Sequence, residues 1–244
     1  MSKQKAIRMM VFLCVVVFAA IALFACSPAD DNQTQVTPTP TISPTPTPLF
    51  RDPVISDPEA KAEPLLPTFL GIREKVWDLA REIPIEQART SEGKTTGWFR
   101  FLWQEDAIYV LVHVSDDTPD TSAEDVHAKD AVFVYINEDG RKNLRYTVGD
   151  AFYAVDRDGV GYLGRGGTEE GYYAITFPDE TGEGYYAEFR IPLLSITGRY
   201  DREIGFDVCI TNAMDGELIH AIQWADVSGY TENTMTGVGT VRFD

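Results

Sequence analysis

Five aspartates lie close together in the segment SDDTPDTSAEDVHAKD, residues 115–130, and could together bind a cation. They are Asp116, Asp117, Asp120, Asp125 and Asp130. Carboxylate oxygens suit Ca²⁺, because this hard ion takes about six to eight oxygen ligands at flexible angles. The spacing of the aspartates does not match an EF-hand loop. Two interpretations stay open from these residues alone: a calcium site, or an acidic loop that water solvates.

Pairs of carboxylates that could perform acid–base catalysis also occur, such as Asp179 with Glu180. A glycosidase needs only two well-placed carboxyl groups. The chain holds 38 acidic residues, however, so such pairs are expected without any function. The glycine-rich stretch GYLGRGGTEEG precedes a predicted strand and not a helix, so it does not match a phosphate-binding loop. Because the sequence also has no nucleophile motif, we predict that the chain is not an enzyme.

The three histidines differ in their sequence surroundings. His113 alternates with apolar residues in a predicted strand, and His220 follows an acidic turn, so we predict that both are structural. His127 lies in the acidic loop and is the histidine that we expect near a ligand. The sequence has no His/Cys spacing typical of a zinc site.

A haem-binding, electron-transfer domain is an alternative that these residue types allow. Haem iron takes axial ligands such as a methionine with a histidine. Met214 and Met235 are predicted in loops, where His127 could face one of them. The chain has no C-x-x-C-H attachment motif. This alternative stays open on the residues alone.

The first 25 residues have the features of a secretory signal peptide, with a basic start and an apolar run from Met9 to Ala25. The run ends in Leu-Phe-Ala-Cys, which resembles a bacterial lipobox and implies lipidation of Cys26. A transmembrane helix needs about 20 apolar residues, and this run is slightly shorter. We therefore expect an exported lipoprotein on the outer face of the bacterial membrane, held by its lipid anchor only. A plain membrane anchor is the alternative.

A linker over residues 26–67 is predicted to follow the lipid anchor. Thr and Ser recur with Pro through residues 34–49. Proline fixes φ and lacks an N–H, so this stretch favours an extended path. At about 3.1 Å per residue it reaches about 50 Å. The linker therefore holds whatever follows it at a distance from the membrane.

The formal net charge of −17 excludes some classes of partner. Removal of residues 1–25 takes away three positive charges, those of Lys3, Lys5 and Arg8, and no acidic ones, so the mature chain is more acidic still. An acidic surface repels nucleic acid and anionic lipid headgroups. We therefore predict no nucleic-acid partner.

Residues 68–244 have the composition of one globular domain. Strand-like runs include WFRFLWQ, AIYVLVHVS, DAVFVYINEDG, DAFYAVDRDG, EIGFDVCIT, HAIQWAD and GVGTVRFD. GYYAITF and GYYAEFRIPL flank the turn PDETGE, which predicts a hairpin. Many short strands joined by Gly/Asp turns predict an all-β, antiparallel sandwich. Helical periodicity is weak except at residues 74–82, and Cys209, which has no disulfide partner, is predicted to be buried.

The order of these segments resembles carbohydrate-binding modules of family 9, which occur beside xylanases. The resemblance runs through FRFLWQEDAIYVLVHVSDDTPDTS, KDAVFVYINEDG, GYYAEFRIPL, IGFDVCITNAMDGE and GVGTVRF. It implies a jelly-roll-like sandwich that binds polysaccharide or oligosaccharide without cleaving it and often holds structural calcium. Asp116 and Asp130 fall at matching positions in the family's calcium loop, and Asp120 lies between them.

The resemblance weakens at the sugar clasp, where the family has two tryptophans. Their positions fall at His127 and near Glu232. Three further clasp positions hold Phe133, Tyr153 and Cys209 in place of the family's glutamate, arginine and glutamine. Among the tryptophans, three fall at core positions of the family: Trp77, Trp103 and Trp224. Trp98 opens a strand and is the tryptophan that could be exposed.

A residual sugar site would therefore be lined by other residues. We expect Tyr153, Tyr230 and His127 to supply aromatic surface, with Asn212 and Glu232 as hydrogen-bonding groups. The ligand implied by the resemblance is a xylan- or cellulose-type glycan, captured at the cell surface in support of carbohydrate catabolism by glycoside hydrolases. An envelope domain that has a structural or partner-binding role, and no sugar binding, is a further alternative.

Overall fold

The structure, a computed structural model, describes residues 66–90, 93–226 and 228–244. The described residues form two short 3₁₀ helices, Lys75–Leu79 and Val126–Ala128, and twelve strands. The strands are β1 Ile83–Ile85, β2 Gln87–Ala88, β3 Thr96–Trp103, β4 Ala107–Ser115, β5 Ala131–Asn137, β6 Asp150–Asp156, β7 Gly161–Leu163, β8 Tyr173–Pro178, β9 Gly184–Pro192, β10 Glu203–Met214, β11 Glu217–Gln223 and β12 Gly239–Arg242.

The strands build two antiparallel sheets. The five-stranded sheet has the order β1-β3-β4-β9-β8, and the seven-stranded sheet has the order β2-β11-β10-β5-β6-β7, with β12 paired to β10. β8 and β9 pair as neighbours, which confirms the predicted hairpin. The predicted all-β, antiparallel sandwich is also confirmed.

The core lies between the two sheets. Phe101 of β3 and Phe206 of β10 meet edge to face, with their ring centroids 5.1 Å apart. One apolar cluster contains the inward side chains of both sheets, among them Val110 of β4 and Val134 of β5. Burial of such side chains stabilises the fold by about 25 cal/mol per Å² of apolar surface. The apolar side chains that the strands direct between the two sheets therefore stabilise the sandwich.

The two outer faces of the sandwich are covered differently. On the seven-stranded sheet, the outward side chains of Phe133 and Tyr135 pack with Met235 from the loop before β12. On the five-stranded sheet, Leu111 packs against Trp77 of the first 3₁₀ helix. β4 is thus apolar on both faces, as its sequence predicts. Both faces carry features that bear on function.

Two sequence predictions differ from the structure. The helical periodicity at residues 74–82 corresponds only to the short 3₁₀ helix Lys75–Leu79. Met214 was predicted in a loop but is the last residue of β10, because β10 continues past a register shift between Asn212 and Ala213. Cys209 is buried, as predicted.

The signal peptide, Cys26 and the Thr/Pro-rich linker lie outside the described residues. Within the described ranges, no helix has the length and apolar character that a membrane crossing requires.

Candidate functional site

Two loops meet on the outer face of the seven-stranded sheet, at the positions where the resemblance places the sugar clasp. His127 of one loop lies between two carboxylates: its Nδ1 is 2.8 Å from Oδ1 of Asp125, and its Nε2 is 2.9 Å from Oε1 of Glu232 in the other loop. The His127 ring also stacks on Phe133, with a centroid distance of 5.0 Å. The ion-pair contact with Glu232 contributes most to raising the pKa of His127, and the hydrogen bond to Asp125 adds to the rise against the opposing effect of burial.

Tyr230 is the exposed aromatic residue of this site. Its side chain is 64% exposed, two residues before Glu232 in the same loop. The neighbouring backbone is held in place, because the Tyr146 hydroxyl donates to the Thr231 carbonyl at 2.8 Å and Arg89 donates to the Gly229 carbonyl at 3.4 Å. Tyr230 therefore presents its ring to solvent from an anchored loop.

A buried polar network supports the base of this loop. Asp207 of β10 accepts hydrogen bonds from Gln223 Nε2 at 2.8 Å and from the backbone N–H of Asp226 at 2.9 Å. Asp226 in turn accepts from the Thr231 hydroxyl at 2.7 Å. Burial raises the pKa of Asp207 to about 7, although these hydrogen bonds oppose the rise. The loop conformation therefore depends on groups beneath it in the sheet.

The structure separates the predicted sugar-binding residues. His127 and Glu232 contact each other, and Tyr230 lies two residues before Glu232 in the same loop. Tyr153 does not join them, because its side chain is fully buried between the sheets, where it stacks on Tyr172 with a centroid distance of 4.7 Å. Its prediction as a sugar-stacking residue is therefore wrong for this conformation. Asn212 is also buried and lines a different groove, at one end of the sandwich.

Sequence reasoning missed the residues that hold the loops in position. Asp207, Tyr146 and Arg89 were not identified as parts of the site. One signal was available for Asp207, since a carboxylate within the apolar run IGFDVCIT must find hydrogen-bond donors when the strand is buried. Tyr146 and Arg89 gave no such signal, because they lie far from the loop in sequence.

The acidic loop is closed by an arginine. Nη1 of Arg157, which follows β6, lies 3.1 Å from Oδ2 of Asp116 and 3.7 Å from Oδ2 of Asp130. Both carboxylates are buried. Burial raises the pKa of Asp130 to about 7, and the charge of Asp116 adds to the rise. Arg157 thus supplies the positive charge that these two carboxylates need.

The remaining carboxylate oxygens of this loop face hydrogen-bond donors. Oδ1 of Asp116 accepts from the Thr118 N–H at 3.0 Å, and Asp130 accepts from the N–H groups of Ala213 and Asp120, each at 2.7 Å. Asp120 accepts from the Gly216 N–H at 2.8 Å. Among the described residues, no group of three or more His, Cys, Asp or Glu side chains is arranged to hold a metal ion. This arrangement does not fit a calcium cage, and calcium binding at Asp116, Asp120 and Asp130 stays a prediction.

The residues considered for haem are placed for other contacts. Met235 is fully buried in the cluster beneath the loops, whereas Met214 is partly exposed at the end of β10. Both ring nitrogens of His127 face carboxylates. The three residues therefore do not form a ligand pair in this conformation.

Comparison with known proteins identifies the family. A family model described as carbohydrate family 9 binding domain-like matches residues 71–243. The chain belongs to this family. The family 9 match thus covers every strand of the sandwich described above.

Curated relatives of this family 9 domain are much longer proteins. The chain is 28% identical over 177 residues to endo-1,4-beta-xylanase C of Paenibacillus barcinonensis, a match that covers 72% of this chain and 16% of that protein. It is 26% identical over 176 residues to endo-1,4-beta-xylanase A of Thermoanaerobacterium saccharolyticum, covering 72% of this chain and 15% of the relative. The chain therefore spans only a small part of these xylanases.

Solved structures share the family 9 fold. A family 9 carbohydrate-binding module from Caldicellulosiruptor kristjanssonii in complex with cellotriose superposes with a TM-score of 0.67 at 20% identity, over 72% of this chain and 89% of that one. The same module in complex with glucose gives a TM-score of 0.68 at 20% identity, over 73% and 92% of the two chains. These matches establish the fold of the described residues.

Proposed function

We propose that this chain binds a neutral polysaccharide, or its oligosaccharides, without cleaving it. The observation that carries the proposal is the exposed Tyr230 in the loop that also holds Glu232, the partner of His127, on a domain that belongs to a carbohydrate-binding family. The C–H faces of a sugar are apolar and stack on aromatic rings, while its hydroxyls need polar partners. Tyr230 offers the first kind of surface, and Glu232 and His127 offer the second.

The proposed ligand is a xylan- or cellulose-type glycan. Two lines support this class: the related module was solved with cellotriose and with glucose, and the long relatives are named as xylanases. One of the two clasp tryptophan positions holds His127 and the other falls near Glu232, and His127 contacts Glu232. Binding at this site is therefore expected to be weaker than a clasp of two large rings would give.

The proposed setting is the outer face of the cell envelope. Lipidation of Cys26 would anchor the chain, and the Thr/Pro-rich linker would hold the domain away from the membrane. A domain displayed in this way captures polysaccharide and keeps it near glycoside hydrolases that degrade it. Catalysis is thus assigned to partner enzymes and not to this chain.

One observation favours a second candidate function. The direct contact between His127 and Glu232 joins the two loops where the family resemblance expects a sugar between aromatic walls. A domain closed in this way would serve as a structural or partner-binding module of the envelope. The same experiment separates the two candidates.

The experiment is a titration of the full chain with cellotriose, xylotriose and glucose, followed by a wider glycan array. Tyr230→Ala should reduce affinity several-fold, since stacking on an aromatic ring contributes about 1 kcal/mol. Tyr200→Ala is the matched control, because Tyr200 is also a strongly exposed tyrosine, at 66%, but precedes β10 outside the two loops. Equal affinities of wild type and Tyr230→Ala would place the site elsewhere. No binding to any glycan would favour the structural function.

A further inference from the structure

A row of aromatic rings crosses the outer face of the five-stranded sheet. Trp98 of β3 pairs in register with His113 of β4, His113 pairs with Tyr186 of β9, and Tyr186 pairs with Phe177 of β8. Neighbouring rings contact one another, with centroid distances of 5.2 Å for Trp98 and His113, 5.0 Å for His113 and Tyr186, and 5.2 Å for Tyr186 and Phe177. Four adjacent strands thus contribute one continuous aromatic surface.

The covering segment protects only part of this row. Tyr186 and Phe177 are buried in the cluster that Trp77 closes, whereas Trp98 and His113 remain partly exposed. At that end lies a groove of about 470 Å³, whose lining includes Trp98, His113 and Pro84. This volume falls in the range of about 300 to 1,000 Å³ that is typical of small-molecule sites. Aromatic rings that pack against one another therefore line the groove.

Polar groups surround the Trp98 ring on the same groove. The lining includes the hydroxyls of Thr96 and Ser115 and the carboxylate of Glu82. The side chain of Glu82 is 50% exposed, and its Oε2 accepts from Nη2 of Arg100 at 3.0 Å. The groove thus offers both donors and acceptors to a ligand.

The aromatic rings are held rigidly. Nε2 of His113 lies 3.1 Å from Oδ2 of Asp179, which fixes one ring nitrogen and leaves Nδ1 for other partners. The guanidinium carbon of Arg100 lies 5.3 Å from the Trp98 ring centroid, and Nη1 of Arg100 donates to the Trp77 carbonyl at 2.6 Å. A preorganised ring loses little conformational entropy when a ligand stacks on it.

We propose that this groove is a second carbohydrate site, in which a neutral pyranose unit packs against the partly exposed ring of Trp98, beside the His113 and Arg100 side chains that support it, and bonds to Glu82, Ser115 and His113. An aromatic floor with hydroxyl and carboxylate groups around it matches a ligand that has apolar faces and many hydroxyls. The carboxylates of Glu82 and Asp179 repel anions, as does the net charge of −17, so the ligand is a neutral sugar.

The two sites would lie on opposite outer faces of the sandwich. The loops with Tyr230 cover the seven-stranded sheet, and Trp98 belongs to the five-stranded sheet. One chain would then bind two separate segments of polysaccharide, which increases retention on an insoluble glycan through avidity. This second site stands on the contacts of Trp98 and does not require the first.

The test uses the full chain and two soluble probes, cellotriose and xylotriose. The indole N–H signals of the four tryptophans are recorded by NMR, and a Trp98→Phe variant assigns the signal of Trp98. We expect the Trp98 signal to shift on titration.

Trp98→Ala should reduce affinity about five-fold or more in a Tyr230→Ala background. Because Trp98→Ala also removes packing, Thr96→Arg provides a second variant that fills the groove and keeps the ring. Tyr200→Ala is again the matched control.

The outcomes separate this proposal from the proposed function. If Tyr230→Ala abolishes binding while Trp98→Ala and Thr96→Arg leave it unchanged, the second site alone is overturned. Binding lost in both groove variants and kept in Tyr230→Ala would support the second site and contradict the first. If the Trp98 signal does not shift with either sugar, the second site is also overturned. If the Trp98 indole N–H is already protected from solvent in the free full chain, the groove belongs to the chain's own preceding segment and the second site is likewise overturned.

Discussion

Nε2 of His127 lies 2.9 Å from Oε1 of Glu232, and this contact joins the two loops that cover the outer face of the seven-stranded sheet. Phe133 beneath it stacks on the histidine ring, so the contact rests on a buried support. The loops therefore depend on each other: a change at either residue should alter the environment of the nearby Tyr230. Protonation of His127 would give it a positive charge between the carboxylates of Glu232 and Asp125.

The contact predicts a pH-dependent contribution to stability. The close contact with Glu232, together with the hydrogen bond to Asp125, raises the pKa of His127. A group whose pKa is higher in the folded state contributes fully below its unfolded pKa of about 6.5 and loses the contribution as pH rises through the folded value. We expect the melting temperature of wild type to exceed that of His127→Gln at pH 6 and to approach it by pH 9. The free energy of unfolding should differ between wild type and His127→Gln by less than about 1 kcal/mol at pH 6, because the pair is partly exposed.

A double-mutant cycle provides the control for this pair. Glu232→Gln should show the same loss at pH 6, and the double variant should lose little more than either single variant. Thermal unfolding at half-unit pH steps measures both quantities. A stability difference that does not change with pH would contradict a protonated bridge.

A buried glutamate predicts a second pH dependence. Glu188 of β9 is fully buried, and its Oε1 accepts from the Trp77 indole N–H at 3.0 Å. Burial raises the pKa of Glu188 to about 7, and the bond from Trp77 opposes the rise. Between an unfolded pKa of about 4.3 and the folded value, the folded state binds more protons, so stability falls as pH increases. At about 1.36 kcal/mol per pKa unit, this shift destabilises the ionised form by about 3 to 4 kcal/mol. Glu188→Gln should therefore be more stable than wild type above pH 7, by about 2 kcal/mol once the cost of a buried amide N–H at the unpartnered Oε2 position is subtracted.

The comparison for Glu188 needs a control at matched pH values. Glu183→Gln changes an exposed glutamate just before the same strand and should leave the pH profile of unfolding unchanged. Asp207 and Asp130 also have pKa values near 7, but they are present in every variant and cancel in the difference. If Glu188→Gln lost stability equally at pH 5 and pH 8, the carboxyl group would not be the cause.

The strands could be predicted from the sequence because their signal is local. Runs rich in apolar and aromatic residues, bounded by Gly and Asp turns, are visible one at a time along the sequence. Tyr153 is different: its neighbours Phe152 and Ala154 are also apolar, so only the structure shows that it shares the core face of β6 with Ala151 and Val155. The short strands β1, β2 and β7 carry too few residues for such a pattern.

The candidate site could be predicted only in part, because its contacts join distant segments. The family resemblance placed both His127 and Glu232 at the clasp, but only the structure shows that they contact each other. Arg157 is a clearer case: it follows β6, far along the chain from Asp116, and no local pattern indicates that it closes the acidic loop. Side chains that satisfy buried charges are determined by packing and not by spacing.

The lipid anchor is a prediction of the sequence alone. Cys26→Ser should leave the chain uncleaved or release it from membranes, because lipid on Cys26 would supply the lasting hydrophobic attachment. Cys14→Ser is the matched control, since Cys14 lies within the signal peptide and should leave anchoring unchanged. Fractionation of cells, followed by detection of the chain in the membrane pellet, measures the outcome. A Cys26→Ser variant that is processed and pelleted like wild type would contradict the lipoprotein assignment.

The ion pair of Arg157 predicts a large effect on stability. Its side chain is 15% exposed and lies 3.1 Å from the buried carboxylate of Asp116, with Asp130 beside it. Arg157→Gln would leave two buried carboxylates without a positive charge, and removal of one partner of a buried pair costs about 3 kcal/mol or more. Arg141→Gln is the control: the Arg141 side chain is 78% exposed, so its loss should change unfolding by less than about 0.5 kcal/mol.

Addition of Ca²⁺ tests whether Arg157 or a calcium ion neutralises the carboxylates of this acidic loop. If Arg157 supplies the positive charge, the melting temperature of wild type should be the same in chelator and in excess Ca²⁺. The Arg157→Gln variant should gain stability from Ca²⁺, since an ion that binds only the folded state stabilises it in proportion to RT ln(1 + [L]/Kd). Asp116→Asn in the same background should remove that gain, because it removes an acidic ligand. A rise in the melting temperature of wild type with Ca²⁺ would instead support the calcium site predicted at Asp116, Asp120 and Asp130, with Arg157 displaced from it.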